Sequence, residues 1–171
     1  MNATSHQTAI SSTTTPTGTR PTYRLALLCA SALWVGLLGP AWAYIPAQLD
    51  MQIPAMSLNF AEMAAGAGQS PSGLQQAFFG WMAWAFALIS TILALLATRW
   101  AGRLLGILCI VVGVAELVLT TYGMKGAMTW SAMSEGTGNM RLGGVLYLLG
   151  LFLIIPIGAI AFARDNADNS H

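Results

Sequence analysis

Three long apolar runs, over residues 78–98, 101–122 and 141–163, limit what this chain can fold into. Each is long enough to cross the hydrocarbon core of a membrane, which takes about 20 residues of α-helix. A fourth apolar segment, residues 24–44, is nearly long enough. The chain has 171 residues, of which 56% are hydrophobic and only 8% are charged, a composition typical of integral membrane proteins. We therefore predict an all-α integral membrane protein, a bundle of four transmembrane helices.

The polar segments predict how these spans are connected. We expect a disordered tail over residues 1–23, a first outer loop at 45–77, a tight basic hairpin at 99–103, a second outer loop at 123–140 and a short tail at 164–171. In the first outer loop, Met56, Phe60 and Met63 share one helical face. This spacing predicts a short helix over about residues 55–65 that lies on the membrane surface.

Basic residues predict the orientation of the spans. One side of the membrane receives five arginines, Arg20, Arg24, Arg99, Arg103 and Arg164, whereas the other receives only Lys125 and Arg141. Positively charged residues accumulate on the cytoplasmic side of a membrane protein. We therefore expect both termini in the cytoplasm and both longer loops outside.

The N-terminal apolar segment has a second interpretation. Its basic flank, its apolar core and the motif Ala41-Trp42-Ala43 are also typical of a secretory signal peptide, which would be cleaved after Ala43. Aromatic residues of the kind that anchor a helix at the membrane interface, Trp34, Trp42 and Tyr44, favour a retained helix. Both interpretations stay open at the level of sequence.

A stripe of small residues runs along the third span. Its members recur at alternating steps of four and three, so that they share one helical face: Gly102, Gly106, Cys109, Gly113, Glu116 and Thr120. Close backbone approach over such residues drives helix packing in lipid, and Gly102-x-x-x-Gly106 fits that pattern. In the last span, Gly143 and Gly150 offer further close contacts. We predict that other helices pack on this stripe.

Glu116 is the only acidic residue inside an apolar run, and its position on the stripe directs it into the bundle. Carboxylates are costly in a membrane, so such residues are often functional. Three roles stay open: a structural hydrogen bond between helices, a contact to a partner subunit, or proton or ion transport. Tyr147 should lie at a similar depth in the last span and is the predicted hydrogen-bond partner.

Methionine is concentrated in the two outer loops, at Met51, Met56, Met63, Met124, Met128, Met133 and Met140. Methionine is an adaptable side chain that recurs at protein contact surfaces. Together with Phe60 and Trp130, these methionines therefore predict a surface that binds partner proteins. Thioether sulfur is also a ligand suited to Cu(I), so an extracytoplasmic copper-handling protein is an alternative. The irregular spacing assigns no metal site.

The remaining composition argues against several functions. The only histidines, His6 and His171, lie in the tails, which excludes histidine ligation of zinc or haem and a histidine general base inside the bundle. The loop serines have no base to activate them. A net charge of +1 gives no reason to expect nucleic-acid binding. We predict no enzymatic activity and no cofactor.

In topology, the chain resembles the small four-span accessory subunits of actinobacterial respiratory supercomplexes, in which a bcc-type cytochrome complex joins a copper-haem oxidase. The resemblance covers the whole chain and rests on the four spans, the Ser/Thr-rich N-terminal tail and the lack of cofactor ligands. It implies a non-catalytic accessory or assembly subunit in a bacterial plasma membrane, in contact with lipid and with other membrane subunits. The competing class is a small transporter or channel that uses Glu116.

Overall fold

A computed structural model of the chain describes residues 21–47, 52, 54–100 and 102–168. Residues 1–20 of the predicted tail and Met51 of the predicted partner surface lie outside the described residues. The rest of that predicted tail, residues 21–23, forms the first turn of a helix. Most of the described chain is helical, and the only regular sheet in this part has two short strands.

Within the described residues, four helices are long and apolar enough to cross a membrane, which confirms the predicted number of long helices. They are α1 (Pro21–Leu38), a continuous helix Gly73–Arg99, α5 (Arg103–Lys125) and α7 (Leu142–Asp168). The continuous helix consists of α3 (Gly73–Ala77), a π-helical turn (Phe78–Met82) and α4 (Ala83–Arg99). It begins five residues before the predicted span. The first helix ends at Leu38 because Gly39 and Pro40 follow, and proline disfavours helix at the residue before it.

Helix α7 packs against all three other long helices. Glycines allow its closest approaches. A Cβ atom built on Gly36 of α1 would lie 2.8 Å from the backbone nitrogen of Tyr147, and one on Gly106 of α5 would lie 2.7 Å from the carbonyl oxygen of Gly158. Since side chains do not tolerate such distances to backbone atoms, only glycine permits these helix crossings.

The two longer connections meet at one end of the bundle. The first contains β1 (Ala43–Ile45), β2 (Met56–Leu58) and α2 (Phe60–Ala67), and the second contains α6 (Trp130–Gly136) and a 3₁₀ turn (Thr137–Asn139). The two strands pair antiparallel, and Ala43 also forms a bridge with Met140. The backbone of Trp42 accepts a hydrogen bond from the amide of Arg141 at 2.8 Å. We call described residues 39–72 and 126–141 the loop-end layer.

Trp42 lies at the centre of an aromatic cluster between the loop-end layer and the bundle. Its ring centroid lies 5.0 Å from that of Phe60 and 5.1 Å from that of Tyr147. Its indole nitrogen donates to the carbonyl oxygen of Gly36 at 2.5 Å, so its polar atom has a partner. Buried aromatic rings at these separations contribute packing beyond their area. This cluster fixes the loop-end layer to the helices.

The short helix of the first connection differs from the prediction in position and in environment. It begins at Phe60, because Asn59 caps it and exchanges hydrogen bonds with Glu62. Met56 lies instead in β2, so the predicted helical face of Met56, Phe60 and Met63 is wrong. Phe60 is buried against the bundle, whereas a helix lying on the membrane surface would direct it into lipid.

Candidate functional site

The buried carboxyl group of Glu116 lies at the interface of α5 and α4. Its Oε2 atom accepts a hydrogen bond of 2.5 Å from the hydroxyl of Ser90, and its side chain is 3% exposed. Its other oxygen, Oε1, has no hydrogen-bond partner among the described residues. One helical turn further along α5, the hydroxyl of the fully buried Thr120 is also unpartnered in that part of the chain. Glu116 therefore joins two helices and keeps one acceptor free.

Tyr147 is not the hydrogen-bond partner of Glu116 that the sequence predicts. Its hydroxyl group donates to the backbone carbonyl of Ala83 at 2.9 Å. That carbonyl belongs to the first turn of α4, immediately after the π-helical turn Phe78–Met82, which offsets the normal pattern of backbone hydrogen bonds. Tyr147 and Glu116 therefore tie α7 and α5 separately to α4.

Most of the predicted stripe faces other helices. The buried residues of α5 are Gly106, Cys109, Gly113, Glu116, Thr120 and Gly123. Gly102, in contrast, precedes the helix, and a Cβ atom on it would meet nothing within 4 Å. In the last span, Gly143 lies against Trp42, and Gly150 lies against Leu33 of α1. The small residues are thus occupied by contacts within the chain.

Five methionines line one cleft in the loop-end layer, where α2, α6 and the end of α5 meet. They are Met63, Met124, Met128, Met133 and Met140, and the cleft has a volume of about 150 Å³. Four of them are half-buried, whereas Met128 is 46% exposed at the mouth. Trp42 and Asn139 also contribute to its wall. We call this the methionine cleft.

The predicted partner surface therefore divides into two parts. Met63, Met124 and Met133 face the cleft, and Phe60 is buried in the aromatic cluster. The remaining described side chains are exposed: Met56 by 37%, Met128 by 46% and Trp130 by 53%. The ring of Trp130 contacts Tyr122 at 5.5 Å, and the ammonium group of Lys125 lies 5.3 Å from its centroid. These contacts hold Trp130 in a defined position.

No protein-family model matches this sequence, and no curated protein or solved structure is significantly similar to it. The function of the chain is therefore inferred from its own geometry.

Among the described residues, this geometry brings together few side chains that could ligate a metal ion or act as nucleophiles. Within the described ranges, no three His, Cys, Asp or Glu side chains come close enough together to hold a metal ion. Cys29 is buried and donates from its thiol to the carbonyl oxygen of Gly150 at 3.2 Å, and Cys109 is buried in the α5 interface. The arrangement supports binding through apolar and thioether groups. It also leaves the free Glu116 oxygen as an acceptor for a proton.

Sequence reasoning missed the roles of two residues of these sites. Ser90 is the partner of Glu116, and Trp42 organises the aromatic cluster. A polar pair inside an apolar run, Ser90-Thr91, was the available signal for the first. No local signal in the sequence distinguishes Trp42 from an interfacial anchor, because its role depends on contacts with distant segments.

Proposed function

We propose that this chain is a non-catalytic accessory or assembly subunit of a bacterial plasma-membrane complex. The four candidate spans fit a multi-pass membrane protein. Arg24, Arg99, Arg103 and Arg164 lie at the end of the bundle where α4 turns into α5, whereas Lys125 and Arg141 lie at the loop end. The positive-inside rule then directs the loop-end layer outward and both termini into the cytoplasm.

The observation that carries this proposal is the apolar surface of the loop-end layer. Met128 and Trp130 are about half exposed there, and Met128 also lines the methionine cleft. Exposed apolar surface outside the membrane is typical of sites that bind other proteins. Tryptophan is also among the residues that contribute most to binding energy at interfaces. Trp130 is therefore the proposed anchor of the contact with a partner.

The resemblance in topology suggests which complex to test first. A respiratory supercomplex contains haem, so its recovery with this chain would be visible in an absorption spectrum. The first experiment is purification of the tagged, full-length protein from native membranes in a mild detergent. Mass spectrometry would then identify the proteins that accompany it, and a spectrum would report haem.

Trp130→Ser and Trp100→Ser form a matched pair of variants for this experiment. Both tryptophans are exposed, by 53% and 65%, but they lie at opposite ends of the bundle. We expect the wild-type protein and Trp100→Ser to recover a partner complex in stoichiometric amount, and Trp130→Ser to recover at least about tenfold less. Recovery of the wild-type chain alone, or only as a homo-oligomer, would contradict the proposal.

A second candidate function, proton- or ion-coupled transport, is favoured by the free oxygen of Glu116. A carboxyl group inside a bundle that keeps one oxygen without a hydrogen bond is a suitable acceptor for a proton in transit. Reconstituted wild-type protein would then conduct protons or ions, and Glu116→Gln would abolish the flux while retaining an acceptor for Ser90. An accessory subunit would show no flux in either form.

A further inference from the structure

We propose that the methionine cleft is a binding site for Cu(I), with thioether sulfurs as its ligands. The proposal goes beyond an accessory function and does not depend on it. It rests on the convergence of side chains from separate parts of the chain: Met63 from α2, Met124 from the end of α5, Met128 from the turn before α6, Met133 from α6 and Met140 from the segment before α7.

Methionine is concentrated in the cleft. The chain has nine methionines, and five of them line this cleft. A methionine that serves only to fill a core is enclosed, as Met82 is in the bundle at 9% exposure. The cleft methionines instead surround an open space of about 150 Å³. Their sulfur atoms therefore have room to turn towards a small ligand.

The chemistry of the donor set selects the ion. Thioether sulfur is a soft, neutral ligand that suits Cu(I), whereas Zn²⁺ binds nitrogen, thiolate and carboxylate and Mg²⁺ binds oxygen. Among the described residues that line the cleft there is neither a carboxylate nor an imidazole. With neutral donors only, a monovalent ion costs less to desolvate than a divalent one. The unbranched methionine side chain has three rotatable bonds and adjusts readily to the coordination that the metal needs.

The cationic side chains near the cleft have partners elsewhere, which favours a cation inside it. The nearest cationic residues in sequence, Lys125 and Arg141, are each held over an aromatic ring, at 5.3 Å from the centroid of Trp130 and 4.5 Å from that of Tyr44. These stacked positions give both side chains a partner outside the cleft.

The test measures Cu(I) binding to the purified full-length protein in detergent. Copper is supplied as Cu(I) under reducing conditions against a competing chelator, and Ag(I) serves as a probe that does not change oxidation state. We expect about one ion per chain, sulfur-only coordination in X-ray absorption spectra, and no binding of Zn²⁺. Bound Ag(I) should also raise the melting temperature, because it stabilises only the folded state.

Methionine-to-leucine substitutions separate ligation from packing, since leucine has a similar volume and no sulfur. The cleft variant is Met63→Leu/Met133→Leu/Met140→Leu, and Met124→Leu is a milder second variant. The controls are Met56→Leu, exposed on β2, and Met82→Leu, buried in the bundle. We expect affinity for Cu(I) to fall at least about tenfold in the cleft variants and to be unchanged in the controls.

Equal Cu(I) affinity in the wild-type and cleft variants would overturn the proposal, as would failure of folded wild-type protein to bind either ion. Recovery of a partner whose apolar segment occupies the cleft, with no metal bound, would also overturn it. The copper measurement needs no partner complex, so its failure is distinguishable from failure of the accessory function, which is read from co-purification alone.

Discussion

At the scale of single residues, the carboxyl group of Glu116 shows how this bundle accommodates a polar side chain. The 2.5 Å hydrogen bond from Ser90 gives one of its oxygens a partner on the adjacent helix. A buried polar group without a partner destabilises a protein by its full desolvation cost, so the hydroxyl of Ser90 matters more than its size suggests. The polar contact between α4 and α5 depends on this pair.

We predict that Ser90→Ala lowers the free energy of unfolding by about 1 to 2 kcal/mol, because Glu116 loses its hydrogen bond. Thermal unfolding in detergent measures the change. Ser31→Ala is the matched control, since Ser31 is exposed on α1, and it should change stability by less than about 0.5 kcal/mol. Equal stability of the Ser90→Ala and Ser31→Ala variants would show that the hydrogen bond does not stabilise the bundle.

The sequence predicts which face of α5 carries Glu116, but it does not predict the hydrogen-bond partner of this residue. The four-and-three spacing places the residue on the face of α5 that the structure buries. The partner depends on the rotation of α4 about its own axis, and the turn of π-helix at Phe78–Met82 changes that rotation. The local sequence contains no signal for such a turn. The sequence alone therefore could not show that Ser90, and not Tyr147, is the hydrogen-bond partner of Glu116.

At the scale of elements, the long helices follow directly from hydropathy, whereas the short elements do not. Four apolar runs predicted four long helices because three of them are long enough to cross a membrane and the fourth is nearly so. Three-residue strands such as Ala43–Ile45 carry no measurable period, and their pairing with residues 56–58 depends on a contact between segments distant in the chain. The motif Asn59-x-x-Glu62, in contrast, is a capping signal that marks the start of α2.

The crossing of α5 and α7 gives a prediction about one glycine motif. In Gly106→Ala, the new methyl group would lie 2.7 Å from backbone atoms of Gly158 and Phe162, so the helices must separate. We expect a loss of about 1 to 3 kcal/mol in the free energy of unfolding, measured in detergent. Gly102→Ala changes the other glycine of the same motif, which faces open space at the N-cap of α5, and should cost less than about 1 kcal/mol. Similar losses in the two variants would contradict this packing.

The packing of α1 predicts that this helix is retained in the mature protein. Cleavage after Ala43 would remove Leu33 and Trp42, which are buried against Gly150 and the aromatic cluster. The expected intact mass of the protein extracted from membranes therefore includes residues before Ala43. An intact mass that corresponds to a chain beginning at Tyr44 would show that the segment is a signal peptide.

At the scale of the whole molecule, the bundle has two chemically different ends. One end carries the short turn between α4 and α5 and four of the described arginines, with the guanidinium of Arg103 5.4 Å from the ring centroid of Phe162. The other end carries the loop-end layer with its exposed Trp130 and its methionine cleft. The accessory function requires that the loop-end layer lies outside the cytoplasm on a chain that crosses the membrane four times.

Labelling of single cysteines with a membrane-impermeant maleimide tests this arrangement most directly. The background replaces the buried Cys29 and Cys109 by alanine, and it then receives either Ser134→Cys in the exposed part of α6 or Trp100→Cys at the opposite end. We predict that Ser134→Cys is labelled on intact cells and Trp100→Cys only after the membrane is permeabilised. Labelling of Trp100→Cys alone on intact cells, or recovery of the protein in the soluble fraction, would contradict the predicted orientation and membrane topology.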